Sequence, residues 1–484
     1  PDPRGMLEFA RLHHLPAYAI AAAHSAGHDD GRWLAEFKRD IGSFRTNHPP
    51  MDGPLWSVAM DCGIRLVNIL IAWDWFGQLG HSDDELDHTI AVIVAEHDIV
   101  INATLETSGG MGTSHLLGGL LGLLAVEAYS AKRVQNRGLK PAAAITMFTQ
   151  AVERQILADG MSFEASTGYH RQVVDILVHA EMLIRQTPHL LAEASPQLFE
   201  KIALAVRAQR ELERAVMPLI VDNDDVVVVK GGRMEGWKGE RAKGRNSERA
   251  KGQNSEWVAF REFGLWIWHL DDAVLTARNG PVGQYGKGGH AHCDQNSITL
   301  RIGETPVIID PGTFCYVSDP VRRNNDRSTA VHATVDLGIE QCWWPEDAYE
   351  GLFWMIQEGQ QPYVDIATEH QWRGHVRHRG SALFAHARTI DIEPHRVSVR
   401  DSIHVDGELG TIVLPLGPDV DVNVGEKVAQ LTFNDRVVEL MWADAIPELS
   451  TMNTAPAYYV NVVTKVLRLH MTSDVVHWSL NLRP

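Results

Sequence analysis

The feature that most constrains this chain is a change of texture near its middle. Up to Pro218 the apolar residues recur at helical spacing, in Leu55–Phe76, Glu85–Leu105, His115–Arg133, Lys140–Asp159 and Gly168–Gln186. Polar or glycine-rich breaks separate them: Asn47-His-Pro-Pro, Ser108-Gly-Gly-Met-Gly and Asp159-Gly. Repeated helical hairpins over roughly 220 residues predict a helical bundle or toroid. From Trp257 onward the runs are short and alternate: Val274–Arg278, Ser297–Ile302, Pro306–Ile309, Ala333–Leu337, Arg396–Val405, Gly410–Leu416 and Tyr459–Leu469. These predict antiparallel sheets stacked as a sandwich. The expected class is α+β, with a helical domain over 1–225, a connecting segment over 226–256 and a β domain over 257–484. The connecting segment holds a β-branched run, Val226–Lys230, and a tandem octet in which ERAKGRNS (240–247) is followed by ERAKGQNS (248–255). The octet reads as a loop lengthened by duplication, or as a basic loop that touches a substrate.

With 484 residues the chain is long enough for two large cores. A net charge of -18 argues against broad binding of nucleic acid or anionic membranes, although a local basic cleft is compatible with it. No apolar run reaches the roughly 18 residues of a membrane helix. The cysteines Cys62, Cys293, Cys315 and Cys342 form no CxxC pair, so neither a zinc ribbon nor a disulfide framework is expected.

Four clusters carry chemistry. In Gly288-Gly-His-Ala-His-Cys-Asp, His290 and His292 lie two apart and would share one face of an extended strand. Asp310 follows at a predicted strand end, and His332 precedes another strand. Two imidazoles and a carboxylate on neighbouring strand ends suit Zn²⁺; on spacing alone they serve equally as structural residues. In Asp159-Gly-Met-Ser-Phe-Glu-Ala-Ser-Thr-Gly-Tyr-His, Ser166 or Thr167 caps a helix and sets Tyr169 and His170 in its first turn. Gly109-Gly-Met-Gly-Thr-Ser-His brings Ser114 and His115 to a helix start, a place that favours an anion. Val221-Asp-Asn-Asp-Asp reads by itself as a polar turn. Arg322, Arg323 and Arg327 gather near His332, either to meet sulfate or carboxylate groups or to form ordinary ion pairs.

Together these clusters resemble the heparinase II/III-like polysaccharide lyases over nearly the whole chain. His290-Ala-His-Cys-Asp, Ile309-Asp-Pro-Gly-Thr and Arg327-Ser-Thr-Ala-Val-His are similar to that family's HGHAD, VDPGT and RSTxAH series, in order. Asp61 and Arg65 resemble its Glu-x-x-x-Arg helix, and Ser114-His115-Leu-Leu its Asn-His-Leu-Leu. Asp159–His170 resembles its DGxxFExSxxYH, and Asp222-Asn-Asp its GDND turn.

The resemblance implies an incomplete (α/α) toroid followed by an antiparallel β-sandwich, and a secreted or periplasmic setting. It implies one divalent metal, zinc in most members and mainly structural, on His292, Asp310 and His332, with no organic cofactor. The partner would be an anionic polysaccharide, with neither nucleic acid nor membrane. The glycosaminoglycans come first as substrate and alginate second; a hydrolase built on two of Asp159, Glu164 and Asp222, or a non-catalytic sugar-binding relative, are the rivals. Tyr169 matches the catalytic tyrosine and His290 the active-site histidine, while Tyr316 is the nearest candidate for a second tyrosine. His115 and Ser114 would blunt the charge of the uronate carboxylate, with His170, Arg65, Arg322 and Arg327 as further substrate contacts. Ser114 stands where many members have Asn.

β-Elimination explains why such residues are needed. The C5 proton of a uronate lies beside its carboxylate, so its removal builds charge that donors or cations must stabilise. A base takes the proton and an acid assists departure of the C4 oxygen. A phenol, with its ordinary pKa near ~10, acts as base only beside cationic groups.

Overall fold

The computed structural model describes residues 3–25, 31–107, 112–133, 142–216, 218–222, 256–345, 349–356, 362–378, 385–405 and 409–482. The octet, the Val226–Lys230 run and the 108–111 glycine loop therefore lie outside the described residues. The described residues fall into two compact units. The first lies within Pro1–Gln155 and Arg171–Leu204, the second within Ile156–His170, Ala205–Asp225 and Ala250–Pro484.

The first unit is helical, as its periodicity predicts. Its longer helices include Arg32–Asn47, Ala59–Gln78, Asp84–Thr104, Ser114–Arg133 and Ala142–Gln155. Asp83 starts one of them by accepting a hydrogen bond from Leu86 N at 2.9 Å, and Asp84, Glu85 and Asp87 lie in the first turn. Acidic groups there complement the positive end of the helix dipole. Ala59–Gln78 and Ser114–Arg133 touch backbone to backbone: a Cβ on Gly122 would lie 2.6 Å from Gly63 Cα. Only glycine permits that approach. Around it, Leu66, Ile69, Phe37, Phe76, Ile90 and Ile93 close an apolar core. By length and composition Ser114–Lys132 would suffice to cross a membrane, contrary to expectation, but 72% of it is buried, as in a core helix.

The second unit carries the strands, all antiparallel where they pair. A five-stranded sheet runs in sequence order from Glu256–Phe260 to Thr305–Ile308. An eight-stranded sheet includes Tyr363–Ala367, Gln371–Arg377, Ala385–Glu393, Arg396–His404 and Val475–Asn481, and a four-stranded sheet is centred on Val460–Met471 and Thr411–Pro415. Burial alternates along Ala385–Glu393 and Arg396–His404, the mark of a sheet with one covered face. The inward residues, among them Trp268, Leu300, Trp372, Ile390, Val399 and Leu467, form one continuous core. Each such side chain contributes on the order of 2 kcal/mol through removal from water. The expected strand at Ala333–Leu337 shrinks to Val335–Asp336.

Candidate active site

Every member of the central cluster belongs to the second unit. The helix Thr167–Gln186 begins with Ser166 as its cap: Ser166 Oγ accepts from Tyr169 N at 3.2 Å and donates to Asp222 O at 2.8 Å. One hydroxyl thus sets Tyr169 in the first turn and ties that turn to the Asp222 loop. Thr167 does the same a residue later, donating to Pro218 O at 2.9 Å and accepting from Ile220 N at 3.1 Å. Asp159 anchors the preceding turn by accepting from Glu262 N at 2.8 Å and Phe263 N at 2.9 Å.

His290 and His292 do not sit on an extended strand, as their spacing suggested. They lie in a turn segment entered through Gly288 at φ +61, where a Cβ would come within 2.6 Å of Met355 O. The rings converge nonetheless, through one carboxylate. His290 Nδ1 lies 3.0 Å from Asp222 Oδ2, and His292 Nε2 lies 2.8 Å from Asp222 Oδ1. Thr313 Oγ1 donates to Oδ1 at 2.6 Å, and the fully buried Arg323 guanidinium clasps both oxygens. Burial alone would raise the Asp222 pKa; the Arg323 charge and the two imidazoles overcome it and hold it well below the usual range.

The far side of His290 meets a second carboxylate, Glu164 Oε2, at 3.3 Å, and Gln284 Nε2 donates to the same oxygen at 3.4 Å. Burial opposes charge on this imidazole, but its bonds to Asp222 and Glu164 raise its pKa. Tyr169 stacks on the ring, with centroids 3.6 Å apart and planes at 20°. Tyr169 Oη is 3.0 Å from Tyr316 Oη, and the Arg323 guanidinium lies over the Tyr316 ring at 5.0 Å. Tyr169 and Tyr316 keep 5% exposure each and His290 keeps 9%, enough for their edges to reach solvent. The backbone around them is held in unusual conformations. Ala165, Val221, Gln284 and Tyr285 all have φ between +51 and +64, and a β-branched residue such as Val221 rarely does.

Behind this cluster His292, Asp310 and His332 place their ligand atoms within 4.8 Å of one another. Their surroundings fit a cation. His292 Nε2–H is turned to Asp222, leaving its Nδ1 lone pair free. His332 Nδ1–H is turned to Ser328 O at 2.7 Å, leaving its Nε2 lone pair free. Those two lone pairs face each other at 3.1 Å, a repulsive arrangement that a metal ion between them resolves. Burial pushes His292 down to about 3, so it is the neutral, ligating form. It also pushes the Asp310 carboxyl up to about 7, which a cation would reverse.

Several residues expected at substrate make their described contacts outside this cluster. Arg65 is fully enclosed in the first unit, donating to His97 Nε2 at 3.0 Å and to the carbonyls of Ala10 and Leu55, each at 3.2 Å. Ser114 is buried in the same unit, and His115 is half-buried there, with Nδ1 2.9 Å from Glu106. His170 is fully buried and accepts from Ser162 N at 3.1 Å, because its helix turns it inward, away from the Tyr169 side. Arg327 donates to Trp354 O and Gly351 O, both at 2.8 Å, and stacks on Trp344; it holds a loop. Arg322 pairs with Asp326 at 2.5 Å and donates to Asn461 at 3.0 Å. Arg65, His170 and Arg327 are thus engaged by buried groups of their own surroundings. Asp222 and Glu164, expected at a site only as the carboxylates of a hydrolase, and Arg323, expected to meet sulfate or carboxylate groups or to form an ion pair, are central to the cluster. The signal for Asp222 was its match to the GDND turn.

Comparison with known proteins gives the fold the same reading. The pattern described as heparinase II/III N-terminus matches residues 19–220, and that described as heparinase II/III-like, C-terminal, matches 247–460. Among solved structures, heparinase III is similar at 13% identity, covering 98% of this chain and 76% of that one, with a TM-score of 0.71. The heparan sulfate lyase HepC from Pedobacter heparinus follows at 14% identity, 98% and 76% coverage and 0.62. A chondroitin AC lyase variant from Streptomyces coelicolor A3 reaches 12% identity, 99% and 75% coverage and 0.50. No protein of curated function matches the chain. The architecture shared with these structures is a helical toroid followed by an antiparallel β-sandwich.

Proposed function

The chain belongs to the heparinase II/III-like family of polysaccharide lyases, and from that membership we propose that it cleaves a glycosaminoglycan of the heparan sulfate, hyaluronan or chondroitin type at a uronic acid. The reaction is β-elimination. The observation that carries this reading is the Tyr169 phenol stacked on a His290 imidazole bound by two carboxylates, with the Tyr316 hydroxyl 3.0 Å from its own.

Two phenols in hydrogen-bond contact can hold and pass a proton. Tyr169, as the phenolate, takes the C5 proton at Oη, the C5–H electron pair forms the C4–C5 double bond, and the C4–O bond breaks with its pair leaving on oxygen. The departing oxygen is protonated by Tyr169 or by Tyr316. By the first route the C5 proton ends on the leaving group; by the second Tyr169 passes it to Tyr316 across their 3.0 Å contact; either way the Tyr169 phenolate is restored and no water is consumed. His290, clamped between Asp222 and Glu164, presents positive charge to the negative charge that develops on the phenol oxygen and the uronate carboxylate. Arg323 holds Asp222 ionised and so keeps the clamp in place. A metal bound by His292, Asp310 and His332 would supply a fixed positive charge that fastens those three residues together.

Hydrolysis is the weaker reading. It needs two carboxylic acids on opposite sides of the scissile bond. Glu164 and Asp222 are both enclosed and both committed to His290. Asp159 is committed to the Glu262–Phe263 backbone.

The test is ultraviolet absorbance of the unsaturated uronate, with heparan sulfate, hyaluronan, chondroitin sulfate and alginate offered separately. Absorbance should rise on one of the first three and vanish in Tyr169→Phe. A rise on alginate alone would replace the substrate. A new reducing end without absorbance would replace the mechanism.

A further inference from the structure

The eight-stranded sheet buries one face and leaves the other to solvent. Along Gln371–Arg377 and Arg396–His404 every second residue points inward, so the residues between them line the open face. The strand register lays these residues out in rows. Tyr363 faces His375, His375 faces Ala387, and Ala387 faces Ser402. In the next row Arg377 and His404 stand on either side of Ala385. In the row beyond Ala387, Arg373 and Arg400 flank Thr389. Ala385 and Ala387 form the floor of a depression of about 310 Å³ rimmed by Tyr363, His375, Arg377, Ser402 and His404; Arg400 stands on the same face outside it.

Around the depression the unpaired charge is positive; the acids Asp391 and Glu393 lie farther along the same face, where Asp391 accepts from Gln371 at 2.6 Å. Asp365, the acid beside Tyr363, is already taken by Arg373 at 2.9 Å and His375 at 3.2 Å. Arg377, Arg400 and His404 are exposed and make no ion pair among the described residues. Arginine stays charged at any physiological pH, and its planar fork matches a carboxylate or sulfate. Arg377 and Arg400 are two strands apart and four residues apart along the strand, about 16 Å between backbones at the usual spacings. Beside them the Tyr363 ring lies flat against His375, with centroids 4.6 Å apart and planes at 8°, and is about half exposed. It offers a flat apolar surface one row from Arg377, which makes no ion pair among the described residues. In a chain of net charge -18, solubility gives no reason for such a face.

We propose that this face is a second binding site for an anionic polysaccharide, sharing no residue with the Tyr169 cluster. Acidic groups of the polymer meet Arg377 and Arg400, and a sugar ring lies on Tyr363. The assignment rests on the reading of the substrate as an acidic polymer, and it explains how a polymer would be held between cleavage events.

The test uses immobilised dextran sulfate, a polyanion without uronate that no lyase reaction can consume. The wild-type protein should be retained at low ionic strength. Arg377→Ser combined with Arg400→Ser should elute at clearly lower salt, and Tyr363→Ala at intermediate salt. On a cleaved polymer the double variant should show a KM raised several-fold at unchanged kcat, with no change on a tetrasaccharide too short to span both sites. Equal elution of wild type and double variant, or no retention of the wild type, would overturn the second site. Failure of the lyase reading shows separately, as absent absorbance with the column result intact.

Discussion

The second unit contains two buried carboxylates that are alike in chemistry and differ in setting. Asp401 accepts from Arg388 at 2.7 and 3.0 Å, from His386 at 2.8 Å and from Trp478 at 2.8 Å. Asp222 likewise meets an arginine, two histidines and a hydroxyl. Both are held below the ordinary carboxylate range although burial opposes it, chiefly by their arginine. Asp401 stands directly opposite Arg388 in a regular strand pair, and Arg388 spends its remaining donors on Asn296 O and Ala333 O. That network is almost wholly enclosed, with His386 and Trp478 each 2% exposed. Asp222 follows a left-handed valine, and its partners lead outward to Tyr169 and Tyr316 and inward to His332. A closed network on regular strands holds sheets together. An open one on strained loops positions reacting groups, and the strain marks which is which.

The sharpest way to break that contrast is to remove one hydroxyl or one N–H from each. Tyr169→Phe should lower kcat by roughly 10²–10⁴-fold with little change in stability. Trp478→Phe should leave kcat untouched and cost about 1–3 kcal/mol in urea unfolding. Next come the carboxylates. Asp222→Asn and Asp401→Asn should each destabilise by about 3–5 kcal/mol, because each strands a buried arginine. Only Asp222→Asn should also lower activity per folded molecule. Equal activity in the two variants would erase the distinction.

Metal removal should come third. Prolonged chelation, or Asp310→Asn, should lower the melting temperature and the metal content measured by mass spectrometry, while Asp401→Asn leaves the metal content at the wild-type level. Glu164→Gln should reduce kcat roughly tenfold with KM little changed, since it loosens His290 without touching the polymer. Glu164→Ala should reduce it further.

The smallest effect concerns pH. Burial pushes His378 down to about 4 and lowers His386 as well. An imidazole whose folded pKa lies below its unfolded value near ~6.5 stabilises fully above that pH. That contribution is lost as pH falls from about 6.5 toward 4. The urea midpoint should decline over that window, and His378→Asn should flatten the decline.

The sequence foretold the outline of the active site better than its interior. Tyr169, His290 and Tyr316 do meet, and His292, Asp310 and His332 do converge. Those residues sit in ordered motifs, and each has a chemistry that few other side chains share. Glu164, Asp222 and Arg323 are charged letters that ordinarily mark solvated loops, and nothing local says that they are fully enclosed. Arg65, His170 and Arg327, expected to face a substrate, are buried and bound to nearby groups of the chain, which their sequence context does not announce either. The two histidines of the HxH element converge for a reason that strand periodicity does not contain: one carboxylate from 68 and 70 residues away gathers them both. The helices and most strands were legible because their periodicity is long enough to average over exceptions. Val335–Asp336, at two residues, is too short for that.

The shared Asp222 carboxylate has a consequence beyond holding two rings still. One oxygen serves His290 and the other His292, so the two imidazoles are coupled through a rigid lever a single group wide. On the proposed function thermodynamic reciprocity would apply: a sugar that displaces His290 would alter the grip at His292, and a cation bound at His292 would alter sugar affinity by the same factor. Occupancy at one end of the molecule's hidden interior is in that sense a readout of occupancy at its mouth.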